Sequence, residues 1–177
     1  MTVDTAEAAL TQLAALGAPG HLEQHAVLVL EAAEEILHGL SNIGVDWIDS
    51  ELVRIGAVLH DAGKIRHPAE MAGPGSDHEA AGRELLLEAG ISERVARVCL
   101  SHARWSDMAV STEELLIALA DKLWKGKRHE ELESRVVEAI SNHGYPNKWE
   151  LLVSLDGVFE SVATQGDERL SRSRGGV

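Results

Sequence analysis

Six residues of this 177-residue chain unite metal-ligating chemistry with an inward position: His25, His60, Asp61, His78, His102 and Asp121. His60 and Asp61 are adjacent, and Lys64 follows them in the string LHDAGKI, residues 59–65. Neighbouring side chains on a regular helix point about 100° apart and do not serve one small ligand. At a helix end loosened by Gly63, both can turn inward to one metal. His25 lies four residues before Val29 on an apolar stripe. His102 follows Val95 and Val98 at helical spacing, and Asp121 falls in the apolar run LLIALADKLW. Burying an ionisable group is costly unless it is paired or bound to a metal. One such residue alone reads as a hydrogen-bonded core residue. Four imidazoles and two carboxylates together suit two closely spaced transition-metal ions with one carboxylate bridging. His21, one turn before His25 on the same face, is the alternative first ligand; the stripe after His25 is the better registered.

The elements that must position these residues are helices. Apolar spacing at i, i+3, i+4 and i+7 predicts helices over about 4–16, 21–40 and from 46 to the His-Asp pair. Pro68, Gly73, Pro74 and Gly75 punctuate a loop over 65–75. Ser76 to Glu79 reads as a capping box opening a fourth helix to Ala89, with Gly90 as its stop. Ser92 opens a fifth helix, carrying His102, and a second capping box, Ser111 to Glu114, opens a sixth, carrying Asp121. Two more follow over about 130–141 and 147–162. Residues 165–177 lack apolar periodicity and are expected as a flexible tail. The expected fold is all-α: one domain over 1–164, a bundle of about seven to eight helices, with the metal-site core at 20–125.

Composition narrows the function. The hydrophobic content of 45% suits one domain with a proper core. The single Cys99 excludes an intramolecular disulfide and suits a reducing compartment. No N-terminal stretch approaches the ~18 apolar residues that cross a membrane, and the acidic start is unlike a targeting peptide; a soluble, cytoplasmic protein is expected. Sixteen Lys and Arg against 29 Asp and Glu leave a formal charge of −13. That field repels long DNA or RNA, whose binding rests on basic patches. A small phosphorylated compound remains compatible, because one local cationic pocket overcomes distant, screened charge.

The order His25, His60-Asp61, His78, His102, Asp121 resembles the HD-domain metal-dependent phosphohydrolase superfamily, and within it the two-metal variants with extra histidines between the His-Asp pair and the last aspartate. The segments HAVLVLEAAEEIL, AVLHDAGK and HEAAGRELL have the same texture. The resemblance implies one ion on His25, His60, Asp61 and Asp121, and a second on His78, His102 and Asp61 as the bridge. It implies two divalent ions, iron or manganese first, with cobalt, nickel, zinc or magnesium as alternatives. Two such ions sharing a water bring its pKa towards neutrality and present hydroxide to phosphorus. The pattern HDxGK implies that Lys64 neutralises a phosphoryl oxygen, against the plainer reading of a solvated loop lysine.

Arg66, Arg104 and Lys122 are further candidates for substrate contact. The basic run Lys122, Lys125, Lys127 and Arg128 also reads as a solvated helix end. The function so implied is hydrolysis of a small phosphomonoester, nucleotide or phosphodiester. Two other readings share the ligand set: a mixed-valent di-iron oxygenase of the same superfamily, and a non-catalytic metal-binding regulatory module.

Overall fold

The computed structural model describes residues 3–175. They form ten α-helices, two short 3-10 helices and no strand: α1 Ala6–Ala15, α2 Gly20–Asn42, α3 Ser50–Leu59, α4 Asp77–Glu88, α5 Glu93–Ala96, α6 Val98–Arg104, α7 Thr112–Leu123, α8 Glu130–Asn142, α9 Lys148–Thr164 and α10 Gly166–Gly175. The 3-10 helices, Ala62–Ile65 and Pro68–Met71, lie between α3 and α4. The all-α bundle agrees with the reading of the sequence, with more helices than the seven or eight expected.

Local signals account for the starts. Thr5 accepts from the Ala8 amide and Asp49 from the Leu52 amide, each satisfying an otherwise orphaned donor of a first turn. Ser111 and Glu114 form the expected capping box on α7. Ser76 does not cap α4. Glu70 reaches back from the second 3-10 helix instead and accepts from the amides of Asp77 (3.2 Å) and His78 (3.1 Å). The single helix expected from Ser92 is two, because at Arg97 the bonding slips into an i→i+3 register, Leu100 N–H to Arg97 C=O.

The tail is the largest departure. Residues expected to fray form α10, held by polar contacts that hydrophobic periodicity does not register. Arg169 is buried, donates to the Val162 carbonyl at 2.9 Å and pairs with Glu35 on α2. Arg172 pairs with Glu31, and the Gln24 amide donates to the Arg172 carbonyl at 2.7 Å. Residues 1–2 and 176–177 of the expected domain and tail lie outside the described residues.

Two apolar clusters make the core. One gathers Leu28 to Leu40 of α2 with α7, α8 and α9, around Phe159 and Trp124. The other gathers α1, α3, α4, α5 and α6, around Leu13, Leu59 and Leu86. The residues singled out above come from helices of both clusters: His25 on α2, His60 at the end of α3, His78 on α4, His102 on α6 and Asp121 on α7. No described helix is long and apolar enough to cross a membrane.

Candidate metal centre

The end of α3 explains how adjacent residues share a target. His60 keeps helical dihedrals, and Asp61, at φ −102° and ψ 13°, steps into the bridge region between helix and strand. The chain then tightens into the 3-10 helix Ala62–Ile65, swinging the carboxylate to the imidazole's side. Gly63 does more than loosen this end. A Cβ placed on it would meet the His78 carbonyl oxygen at 1.8 Å and the Gly82 amide nitrogen at 2.5 Å. Only glycine lets the turn carrying Asp61 lie against the backbone of α4, which carries His78.

Two sets of ligand-type atoms result, sharing Asp61. Its Oδ2 lies 3.2 Å from His25 Nε2 and 3.5 Å from His60 Nε2. The two imidazole nitrogens are 3.4 Å apart, and Asp121 Oδ1 stands 3.8 Å and 3.5 Å from them. Oδ1 of Asp61 faces the other way, 3.4 Å from His78 Nε2 and 3.7 Å from His102 Nε2. Donors about 2.1 Å from one ion in tetrahedral array stand about 3.4 Å apart, so both sets have the spacing a small divalent cation requires. The atom types, imidazole nitrogen and carboxylate oxygen, suit a first-row transition metal. His21 is outside both sets.

Three of the four remaining ring nitrogens are anchored. His60 Nδ1 lies 2.9 Å from the Ala57 carbonyl and His102 Nδ1 3.1 Å from the Val98 carbonyl, each in its own helix. His78 Nδ1 lies 2.5 Å from Glu70 Oε2. Nδ1–H donation to these acceptors presents Nε2 as the lone-pair donor. Trp124 packs its ring edge-on to His25 at 5.0 Å between centroids.

The electrostatics are those of a centre built for positive charge. Burial works to raise Asp61, but the His60 charge and hydrogen bonds from His25, His60 and His78 hold it well below the usual carboxylate range. Burial opposes the ionised form of Asp121 as well, and His60 and Lys122 hold it far down. His60 shows the reverse: burial would depress it, yet Asp61 and Asp121 raise it to about 10. His102 is pushed down to about 4 by burial and by the His60 charge, which outweigh the opposing pull of Asp61 and Asp121.

Among the residues expected at the substrate, Lys64 is nearest the cluster, its Nζ 2.6 Å from Asp61 Oδ2. Lys122 Nζ stands 2.9 Å from Asp121 Oδ2. Arg104 is exposed on the last turn of α6, 3.6 Å from Asp107. Arg66 is not brought to the cluster: its guanidinium bonds Glu88 at the far end of α4. Glu70 was missed by sequence reasoning. Its signal was available in the position of His78, which opens a helix and has no preceding helical carbonyl for its Nδ1.

The family model of the HD domain matches residues 22–126, more than half of the chain. An uncharacterised protein of Methanocaldococcus jannaschii, MJ0778, is 30% identical over 125 residues, covering 62% of this chain and 70% of the relative. No solved structure matches the chain significantly.

Proposed function

From the premise that this chain belongs to the HD domain family, a superfamily of metal-dependent phosphohydrolases, we propose that it hydrolyses a small phosphate ester at a two-metal centre on His25, His60, Asp61, His78, His102 and Asp121. One observation carries the two-ion reading: Asp61 divides its oxygens, Oδ2 towards His25 and His60 and Oδ1 towards His78 and His102. A pair of divalent ions held by these residues, iron or manganese first by the family resemblance, would supply an activated water and polarise phosphoryl oxygens.

The chain's own residues do the rest. Four imidazoles, three with their Nδ1 anchored, present Nε2 atoms that need no reorganisation when charge develops. Asp61 keeps the two halves in register. Lys64, held at the rim by Asp61, exchanges that contact for a non-bridging oxygen of the ester and neutralises it. Lys122, on Asp121, adds a second cation at the centre of an otherwise acidic chain, which favours a small, compact phosphate over a polymer. The substrate is accordingly a phosphomonoester, nucleotide or short phosphodiester.

Phosphate or alcohol release from a phosphoester and nucleotide panel, with Mn²⁺, Fe²⁺, Co²⁺, Ni²⁺ or Mg²⁺ added to the purified protein, tests the reading. Turnover of at least one compound, abolished in Asp61→Ala, is the expected result. Release from no substrate with any metal, or turnover undiminished by Asp61→Ala, refutes it.

A further inference from the structure

The imidazoles of the two sets differ in how they are held. His60 and His102 find their Nδ1 partners within their own helices, at the carbonyls of Ala57 and Val98, three and four residues back. Such a partner comes with the helix. His78 is the second residue of α4, and four residues back is Pro74, outside any helix. Its Nδ1 therefore needs an acceptor from elsewhere in the fold. Glu70 supplies it at 2.5 Å, from the 3-10 helix Pro68–Met71.

The same carboxylate fixes the element on which His78 stands. Its Oε1 accepts from the Asp77 amide and its Oε2 from the His78 amide. The side chain is about nine-tenths covered, as is that of His78. Gly75 makes room: a Cβ there would meet Glu70 Cδ and Oε1 at 2.4 Å. The nearby trio His67, Glu70 and Asp77 has ligand-type atoms within 4.8 Å of one another. Both oxygens of Glu70 are already committed to α4, so this trio is not an ion site of its own.

Charge separates the two sets as well. The first has Asp121 besides its share of Asp61; the second has only the other oxygen of Asp61 beside its two imidazoles. Resting on the two-metal reading above, we propose that Glu70 is the positioning residue of the second metal pocket, aiming His78 Nε2 at the ion and supplying the negative charge that Asp121 gives the first. Carboxylates behind ligating imidazoles orient the ring and raise its basicity. Glu70 does not touch the substrate; it acts through His78.

Calorimetric titration of the metal-stripped full chain with Mn²⁺ tests this, with the metal-free melting temperature followed in parallel. The wild type is expected to take two ions. Glu70→Ala weakens the second by about 10–100-fold and leaves the first unchanged. Glu70→Gln, which retains an acceptor oxygen without the charge, loses less. In a His78→Ala background, Glu70→Ala weakens binding no further, whereas its helix-capping role lowers the melting temperature in both backgrounds.

Unchanged second-ion affinity in Glu70→Ala overturns the inference. So does an equal further loss in the His78→Ala background. Where Glu70→Ala fails to fold, wild-type affinity in Glu70→Gln overturns it by itself. A wild type that binds fewer than two ions overturns the two-metal reading, and the inference with it. That outcome differs from one in which two ions bind and Glu70 is immaterial.

Discussion

Replacing Gly63 with alanine should remove one metal pocket and spare the other. The added Cβ would stand 1.8 Å from the His78 carbonyl oxygen and 2.5 Å from the Gly82 amide nitrogen. Both are backbone atoms within α4, so no side chain can swing away. Relief to about 3.0 Å, the shortest tolerable approach, requires the 3-10 turn and α4 to part by about 1.2 Å, a shift dense packing does not absorb. Taken along the line from Asp61 Oδ1 to His78 Nε2, now 3.4 Å, that opening leaves about 4.6 Å. Two donors about 2.1 Å from one ion span at most about 4.2 Å, so the second set can no longer share a cation. His25, His60, Asp61 and Asp121 do not span this contact and keep the first. Overpacking of this kind costs about 1–3 kcal/mol, and misplacement by about 1 Å costs about a hundredfold in rate. Mn²⁺ stoichiometry after dialysis, with thermal unfolding alongside, should show two ions falling to one in a folded variant. Gly39→Ala is the control: its Cβ would strike Val158 at 2.6 Å between α2 and α9, about 21 Å along α2 from His25. It should lose stability and keep both ions. A Gly63→Ala protein that binds two ions with wild-type affinity refutes the reasoning.

Lys64→Met should retain both ions and lower kcat/KM on the responsive phosphoester by about a hundredfold, as loss of one charge-stabilising donor does; steady-state kinetics with an unchanged kcat/KM would remove Lys64 from the substrate. Metal affinity should tighten with pH. A cation at the first set must displace the proton that His60 holds up to about 10, so for one displaced proton affinity rises about tenfold per pH unit between 7 and 9. Titrations in buffers of different ionisation enthalpy count the protons released, and a flat profile sinks the argument. Arg169→Met should destabilise the fold by about 3 kcal/mol, the low end for breaking a buried ion pair, because Glu35 is only partly buried; denaturant unfolding that matches the wild type would show that α10 is dispensable.

What could be foreseen from the chain divides along a physical line. His25, His60, Asp61, His78, His102 and Asp121 were legible because an ionisable group on an apolar helical stripe contradicts its surroundings, and helical period is a local property. The Ser111 capping box was legible for the same reason, since its two partners are three residues apart. The same pattern at Ser76 misled, because a tertiary competitor, Glu70, takes the amides of that first turn. The docking of α10 was hidden likewise: Arg169 and Arg172 meet Glu35 and Glu31 from more than 130 positions away, and burial by ion pairing leaves no apolar period to find. Arg66 pairs with Glu88 away from the cluster, because nearness in sequence to Lys64 says nothing about which side of a 3-10 turn a side chain leaves from. These cases share one cause, that side-chain partners are chosen in space. The centre itself shows both regimes meeting at Asp61. Its place beside His60 is written locally, yet its division between two imidazole sets depends on how closely one turn approaches α4, and the missing Cβ of Gly63 sets that distance.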